Sequence, residues 1–163
     1  MDARVNKTLK ITTPSDLEIA MTREFDAPRH LVFDAMTRPE HVRRWFGCDA
    51  FTLPICEIDL RAGGAYRFVM RSPDGSESTL QGVYREIVRP ERVVFVERIL
   101  MPGFTSDEYQ VTSTFDEISS GTRLTTTILH NSKANRDGHL NSGIEKGVAP
   151  AYDRLAELVA TMA

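Results

Sequence analysis

The side chains of this sequence that could bind a metal ion are its histidines and cysteines. The histidines are His30, His41, His130 and His139. No two of them stand four residues apart, as zinc-binding pairs on one helix do. Seven residues lie between Cys48 and Cys56, which suits neither a close metal pair nor a disulfide framework. We therefore predict reduced thiols, no metal site and no cofactor.

Acid–base catalysis is the other chemistry that the residue types allow, and it needs ionisable groups inside a cavity. The candidates are Tyr84, Glu86, Glu97 and His130, and the sequence leaves open to which face of the sheet the last three point. His130 ends the last predicted strand and His139 begins the final helix, so the two rings could meet near a cavity mouth. Ser113 and His130 lack a motif that would join a nucleophile to its base. The residues therefore favour a binding protein and leave enzymatic activity open.

One strongly apolar strand face is the clearest sign of a binding surface. Tyr66, Phe68 and Met70 alternate with other residues, two of them arginines, and alternate residues of a strand point to the same side of a sheet. Ligand pockets are mostly apolar, with a few polar groups that fix the orientation of the ligand. The hydroxyls of Tyr66 and Tyr84 could be such groups, because a buried phenol needs a hydrogen-bond partner.

The composition is that of a globular protein. The 163 residues are 41% hydrophobic and 26% charged, which suits one domain, residues 1–163, with a loose leader at residues 1–15. A formal net charge of −3 and a pI of about 5.8 disfavour nucleic-acid binding. The sequence has no apolar run of about 18 residues to span a membrane, and its polar N-terminus is unlike a signal peptide. We therefore predict a cytoplasmic protein.

Residue spacing and proline positions predict the first elements. Residues 17–25 alternate as a half-buried strand, and Lys7–Ile11 could add an edge strand before it. Helical spacing over His30–Met36 predicts a first short helix. Thr37–Glu40 indicates a capping box with a proline inside it, which would open a second short helix that ends at Gly47.

The rest of the chain alternates as hairpin-linked strands and then turns helical. Strands are predicted near residues 52–60, 66–71, 80–88, 93–100, 109–115 and 124–128. A polar loop over His130–Arg136 should lead into one long helix from Asp137, with Ile144 and Val148 on its apolar face. Pro150 should kink this helix, because proline removes a hydrogen bond and crowds the preceding turn. This order predicts an α+β fold in which a bent antiparallel sheet and a helix enclose an apolar hollow.

Several motifs, taken in their order and spacing, are similar to one protein family. They are Thr13-Pro14-Ser15-Asp16, Arg23-Glu24-Phe25-Asp26-Ala27-Pro28, Leu31-Val32-Phe33, Thr37-Arg38-Pro39-Glu40-His41, Trp45-Phe46-Gly47, Pro73-Asp74-Gly75-Ser76, Gly82-Val83-Tyr84-Arg85-Glu86 and Pro90-Glu91-Arg92-Val93-Val94-Phe95. From about Thr13 to Val159 the chain resembles the START-like SRPBCC superfamily, nearest to the branch named for the C-terminal domain of the Hsp90 ATPase activator. The resemblance implies the helix-grip fold of the birch-pollen allergen, in which a curved sheet holds a long helix over a cavity. It also implies binding of hydrophobic ligands and, in some members, polyketide cyclase or aromatase activity.

The chain departs from the family pattern at three positions. Val148 stands where the family often has an aromatic residue, Phe46 where it often has a second tryptophan, and Cys48 where it often has proline. The smaller Val148 could enlarge the cavity, or neighbouring side chains could fill the space. The chaperone-activator role belongs to longer, two-domain eukaryotic proteins, so a chaperone contact is a minor expectation for this chain.

The leading hypothesis is a protein that binds a small hydrophobic molecule, such as a lipid-, flavonoid- or polyketide-like compound. The predicted pocket residues are Trp45, Phe46, Tyr66, Phe68, Met70, Tyr84, Val111, Phe115, Ile144 and Val148. Two alternatives stay open: a cyclase- or aromatase-type enzyme on the same scaffold, and an interaction module that contacts a chaperone. A homodimer also stays open. An exposed apolar patch would favour the module, whereas an open cavity would favour ligand binding.

Overall fold

The structure, a computed structural model, describes residues 7–46 and 51–162. Its helices are α1 (Arg29–Thr37), α2 (Pro39–Trp45), α3 (Lys133–Leu140) and α4 (Ile144–Met162). Its strands are β1 (Lys10–Thr12), β2 (Glu18–Phe25), β3 (Thr52–Ile58), β4 (Ala65–Arg71), β5 (Glu77–Val88), β6 (Arg92–Met101), β7 (Phe104–Thr105), β8 (Tyr109–Ile118) and β9 (Gly121–Leu129). None of the helices in these two ranges is long and apolar enough to cross a membrane. The predictions made for Gly47 and Cys48 lie outside the described residues.

The described strands form one antiparallel sheet. Its order is β1-β2-β9-β8-β6-β5-β4-β3, and the short β7 pairs with β6. The helices α1 and α2 contact each other, and α4 packs against both of them. The predicted α+β class, with two short helices before the main run of strands and a long helix after it, is confirmed.

The apolar core fills one part of the space between sheet and helices more completely than the other. Phe33 of α1 packs edge-on against Phe115 of β8, with 5.2 Å between ring centres, and Leu155 of α4 is fully buried. The first turns of α4 reach a smaller cluster on β2, β8 and β9 through Ile144 and Val148, which are only half-buried. The N-terminal part of α4 therefore stands over a less filled part of the sheet.

The predicted single C-terminal helix is two helices. The first, α3, begins at Lys133, inside the predicted polar loop, because the Ser132 hydroxyl caps it by accepting a hydrogen bond from the Asn135 N–H (3.0 Å). The chain turns before α4 at Gly143, whose φ of +90° is a left-handed value that glycine adopts without strain. Pro150 lies inside α4, and the kink expected there stays a prediction.

Two predictions for the N-terminal part are wrong. Residues Lys10–Thr12 of the expected loose leader are strand β1 and pair with β2, close to where the optional edge strand was expected. The capping box at Thr37–Glu40 is not formed, because Thr37 ends α1 and its hydroxyl donates back to the carbonyl oxygen of Phe33 (2.7 Å). Arg38 stands at the N-cap of α2 without a side-chain capping bond.

Candidate functional site

A cavity of about 650 Å³ lies between the inner face of the sheet and the helices. The alternation of β4 positions its wall: Tyr66, Phe68 and Met70 border the cavity, whereas Arg67 and Arg71 are exposed on the opposite face. Every residue of the predicted pocket borders this cavity. They are Trp45, Phe46, Tyr66, Phe68, Met70, Tyr84, Val111, Phe115, Ile144 and Val148. Contact of these residues with a ligand stays a prediction.

Trp45 and Phe46 form the end of the cavity next to α2. The Trp45 indole N–H donates to the carbonyl oxygen of Ala35 (2.8 Å), and the side chain is 6% exposed, so the ring is fixed in place. Phe46 is half-buried, and its ring centre lies 5.2 Å from that of Phe68 on β4. Trp45 is therefore a rigid part of the wall, and Phe46 connects it to the sheet.

A row of paired residues crosses the inner face of the sheet. Tyr66 of β4 pairs with Gly82 of β5, Gly82 pairs with Glu97 of β6, and Glu97 pairs with Tyr109 of β8. The Tyr66 ring lies over Gly82, where a β-carbon would stand only 2.7 Å from Tyr66 Cε1. The missing side chain of Gly82 thus lets Tyr66 reach across β5 to the carboxylate of Glu97.

Glu97 brings a carboxylate to a mainly apolar wall. The Tyr66 hydroxyl donates to Oε2 of Glu97, and the Tyr109 hydroxyl donates to Oε1 (2.7 Å). Burial raises the pKa of Glu97, and the two phenol hydrogen bonds partly oppose that rise. None of the described residues that border the cavity is a lysine or an arginine. The carboxylate therefore has hydrogen-bond donors but no cationic side chain beside it in the wall.

The tyrosines near Glu97 are neutral hydrogen-bond donors at ordinary pH. Burial raises the pKa of Tyr66, Tyr84 and Tyr109, and the nearby charge of Glu97 adds to the rise in each. The Tyr66 ring centre lies 5.4 Å from those of both Tyr84 and Phe95. Tyr66, which donates to the carboxylate, is thus packed between two further aromatic rings.

His130 and His139 meet beside Tyr109, as the sequence had suggested they could. His130 Nε2 and His139 Nδ1 are joined by a hydrogen bond of 2.9 Å, and the Tyr109 ring centre lies 4.9 and 5.3 Å from theirs. Burial, with a smaller effect of His130, lowers the pKa of His139 to about 4. Burial and the charge of Arg136 lower the pKa of His130 as well. Both rings are therefore neutral at pH 7, and His139 borders the cavity.

Only some of the acid–base candidates border the cavity. Tyr84 and Glu97 border the cavity, but Glu86 and His130 do not. The pairing of β5 with β6 shifts register between Tyr84 and Glu86, so the alternation is broken there and Ile87 packs on the core instead. Glu86 is exposed and forms an ion pair with Arg92. Glu86, whose orientation in the strand the sequence left open, is therefore not a cavity residue.

The Ser113 hydroxyl is not activated by His130. Its hydrogen-bond partner is the Thr126 hydroxyl (3.3 Å), and both side chains are buried in the cavity wall. The described residues also contain no cluster of three or more histidine, cysteine, aspartate or glutamate side chains that could hold a metal ion. The polar chemistry of the cavity therefore centres on Glu97 and its tyrosines.

Sequence reasoning did not place Tyr109 or Phe95 in the pocket and left the orientation of Glu97 open. A usable signal was present in β6, where Val93, Phe95 and Ile99 share the inner face with Glu97. A single carboxylate in such an apolar alternating series is unusual, because an ionised side chain is costly to bury. That contrast would have singled out Glu97 if the sequence had shown to which face of the sheet its side chain points.

The rim of the cavity lies where its lining residues are exposed. Met101 at the end of β6 is 49% exposed, and Ser142 and Gly147, on either side of the start of α4, are exposed as well. The cavity therefore reaches solvent between the tip of the β6–β7 hairpin and the start of α4. Glu97 lies inward from this rim on the same strand as Met101, four residues earlier.

Residues 26–160 match the family model described as Activator of Hsp90 ATPase homolog 1-like protein. The chain belongs to this family. The resemblance to the START-like SRPBCC superfamily and the helix-grip fold is thereby confirmed. No curated protein matches the sequence significantly.

Solved structures of bacterial proteins share the fold of this family member over nearly its whole length. A protein from Rhodobacter sphaeroides is 22% identical with a TM-score of 0.87, and the match covers 96% of this chain and 100% of that one. A protein from Nitrosomonas europaea is 25% identical with a TM-score of 0.80 and coverages of 92% and 98%. A similar protein from Staphylococcus aureus is described as having unknown function, with 20% identity, a TM-score of 0.70 and coverages of 96% and 98%.

Proposed function

We propose that this protein binds a small, mainly apolar molecule in the cavity between the sheet and α4. The observation that carries the proposal is the open space itself, about 650 Å³ in volume. Small-molecule sites usually measure about 300–1,000 Å³ and have mainly apolar walls with a few polar groups. The cavity has this size, this wall and an exposed rim through which a ligand could pass.

The wall is rigid enough to hold a ligand without large rearrangement. Trp45 is fixed by its bond to Ala35, and Tyr66 is fixed by its bond to Glu97. A ligand that buries about 200 Å² of apolar surface gains about 5 kcal/mol before the cost of its immobilisation. Micromolar affinity for a flat or aliphatic compound is therefore a reasonable expectation.

Native mass spectrometry of freshly purified protein tests the proposal and identifies the ligand class, because a co-purified molecule adds its own mass. Titration with naphthalene-2-methanol, a neutral apolar probe, tests the binding directly. Trp45 is the only tryptophan of the chain and borders the cavity, so its fluorescence should change on binding. Absence of both a bound mass and probe affinity would reject the proposal.

Val148→Trp tests whether the probe enters this cavity. Val148 borders the cavity from α4, and an indole at this position should occupy part of the space. If it displaces about 60 Å² of ligand contact, the loss is about 1.5 kcal/mol, or roughly tenfold in affinity. Lys146→Trp is the matched control, because Lys146 is exposed on the same helix. Calorimetric titration that finds equal probe affinity in both variants would place the binding elsewhere.

A second candidate function is acid–base catalysis of the cyclase or aromatase type. One observation favours it: Glu97 has a raised pKa and two tyrosine hydroxyls in direct contact inside the cavity. A carboxyl group with a raised pKa can exchange a proton with a bound ketone. Conversion of a polyketide-like ketone by the wild type, and its loss in Glu97→Gln with binding retained, would establish this activity.

The interaction module is the weaker alternative. Met101 and Phe104 are 49% and 58% exposed and pair across the β6–β7 turn, which makes a small apolar patch. A stable interface buries about 800 Å² per partner, far more than two side chains supply. The cavity is the larger apolar feature, so ligand binding is the preferred function.

A further inference from the structure

We infer that the cavity takes an apolar molecule with a protonated amine, and that the ammonium group binds the carboxylate of Glu97. This inference rests on the proposed function, because it names the chemical class of the molecule held in that cavity. The observation behind the inference is a carboxylate in a mainly apolar wall, with no lysine or arginine among the described lining residues.

The hydrogen bonds of Glu97 leave room for a further donor. A carboxylate offers about four acceptor positions. Tyr66 fills one on Oε2, and Tyr109 fills one on Oε1. An ammonium group brings up to three N–H donors and a full positive charge, which is what a desolvated carboxylate needs to remain ionised.

The aromatic rings beside Glu97 also suit a cation. Phe95 precedes Glu97 by two residues on β6 and therefore shares its face, and the Tyr66 ring centre lies 5.4 Å from that of Phe95. Aromatic faces attract an organic cation within about 6 Å of the ring centre. An ammonium group at the carboxylate would thus meet aromatic surface as well as negative charge.

The other titratable side chains of the cavity wall do not supply the missing charge. Those that border the cavity are Tyr66 of β4, Tyr84 of β5, Tyr109 of β8, His139 of α3 and Tyr152 of α4, with Cys56 of β3 and His130 after β9 beside them. Burial keeps the thiol and the four phenols protonated and neutral, because it raises their pKa values. Burial lowers the pKa of both histidines, so neither carries a positive charge at pH 8.

Three probes with one ring system separate this inference from the proposed function. Naphthalene-2-methanamine, naphthalene-2-methanol and 2-naphthoate place a cation, a neutral hydroxyl or an anion on the same skeleton. At pH 8 the wild type should bind the amine about tenfold or more tightly than the alcohol, as expected for a charge-assisted hydrogen bond. It should bind the naphthoate more weakly than the alcohol, because that probe adds a second negative charge beside Glu97.

Glu97→Gln should abolish the preference for the amine over the alcohol. The control is Glu86→Gln, since Glu86 is an exposed carboxylate outside the cavity. If Glu97→Gln does not fold, Tyr109→Phe serves as the test variant. This change keeps the ring of residue 109 but removes a hydrogen-bond donor that favours the ionised form of Glu97. Tyr109→Phe should reduce the amine preference several-fold, and Glu86→Gln should leave it unchanged.

Lowering the pH gives an independent readout in the wild type. The amine stays protonated, whereas the raised pKa of Glu97 means that its carboxylate takes up a proton at a higher pH than an ordinary carboxylate does. The preference for the amine should therefore fall as the pH is lowered from 8. The same titration of Glu97→Gln corrects for protonation of His130.

Each contrary outcome has one meaning. Equal affinity of the wild type for amine and alcohol, or a preference that survives in Glu97→Gln, overturns the amine inference while the alcohol affinity still supports the proposed function. If none of the three probes binds, the proposed function falls and this inference falls with it.

Discussion

Gly82→Ala probes the contact that positions the polar group of the cavity. A β-carbon at this position would stand 2.1 Å from the carbonyl oxygen of Val96, 2.7 Å from Tyr66 Cε1 and 2.8 Å from the Tyr66 hydroxyl. The tyrosine ring could swing away, but the main-chain oxygen can move only if β5 and β6 separate. We therefore expect a loss of stability near the upper end for an overpacked site, about 3 kcal/mol.

For a domain of this size, a loss of about 3 kcal/mol lowers the melting temperature by about 6–12 °C. Gly138→Ala is the matched control, because Gly138 lies in α3 and a β-carbon there meets no atom within 4 Å. Alanine in place of a helical glycine should stabilise the protein by up to about 1 kcal/mol. Urea denaturation of both variants measures the two effects.

The same variant should also disturb Glu97. A displaced Tyr66 no longer donates to the carboxylate, so one of the hydrogen bonds that favour its ionised form is lost. A Gly82→Ala protein as stable as the wild type, with an unchanged amine-to-alcohol preference, would refute the view that Gly82 makes room for Tyr66.

Two further predictions concern stability and pH, and both are measured by urea denaturation at several pH values. Because the pKa of His139 is lowered to about 4 in the folded protein, the unfolded chain takes up a proton first as the pH falls. The free energy of unfolding should therefore decrease by up to about 3 kcal/mol between pH 6.5 and pH 4. In His139→Gln the stability should depend less on pH over this range, whereas the control His30→Gln, at an exposed position, should behave like the wild type. If His139→Gln loses stability with falling pH as steeply as the wild type, the reasoning is wrong. Glu97 acts in the opposite direction, because its pKa is raised in the folded protein and the stability therefore falls as the pH rises through that pKa. Without ligand, Glu97→Gln should be more stable than the wild type at pH 8. That advantage should disappear near pH 4.5, and a variant less stable than the wild type at pH 8 would show that the buried carboxylate stabilises the fold.

The sequence predicted residues of the cavity wall correctly where the alternation of side chains along a strand is unbroken. Tyr66, Phe68 and Met70 face the cavity because alternation in β4 is unbroken, and its charged neighbours mark the outer side. In β5 strict alternation would place Glu86 on the same face as Tyr84, but the register shift after Tyr84 moves the next inward position to Ile87. A shift of this kind depends on the pairing of two strands, which no single strand's pattern reveals.

The C-terminal helices show a different limit of sequence reasoning. Leu140, Ile144 and Val148 were expected along one face of one helix, yet Leu140 ends α3 and the other two belong to α4. All three still pack against the same small apolar cluster. The spacing therefore predicted the shared environment correctly, whereas the break depends on the turn at Gly143, whose positive φ the helical pattern concealed.

Two features of the cavity make the protein less stable than its fold allows. An unfilled space forfeits packing energy in proportion to its volume, and a buried carboxylate without a cation loses hydration. Neither is needed to build the sheet or to hold α4, because Phe33, Phe115 and Leu155 anchor the helices at the other end. A larger side chain at Val148 and an uncharged one at position 97 would remove both costs. Their presence together is better explained by a ligand that fills the space and neutralises Glu97 than by the requirements of folding.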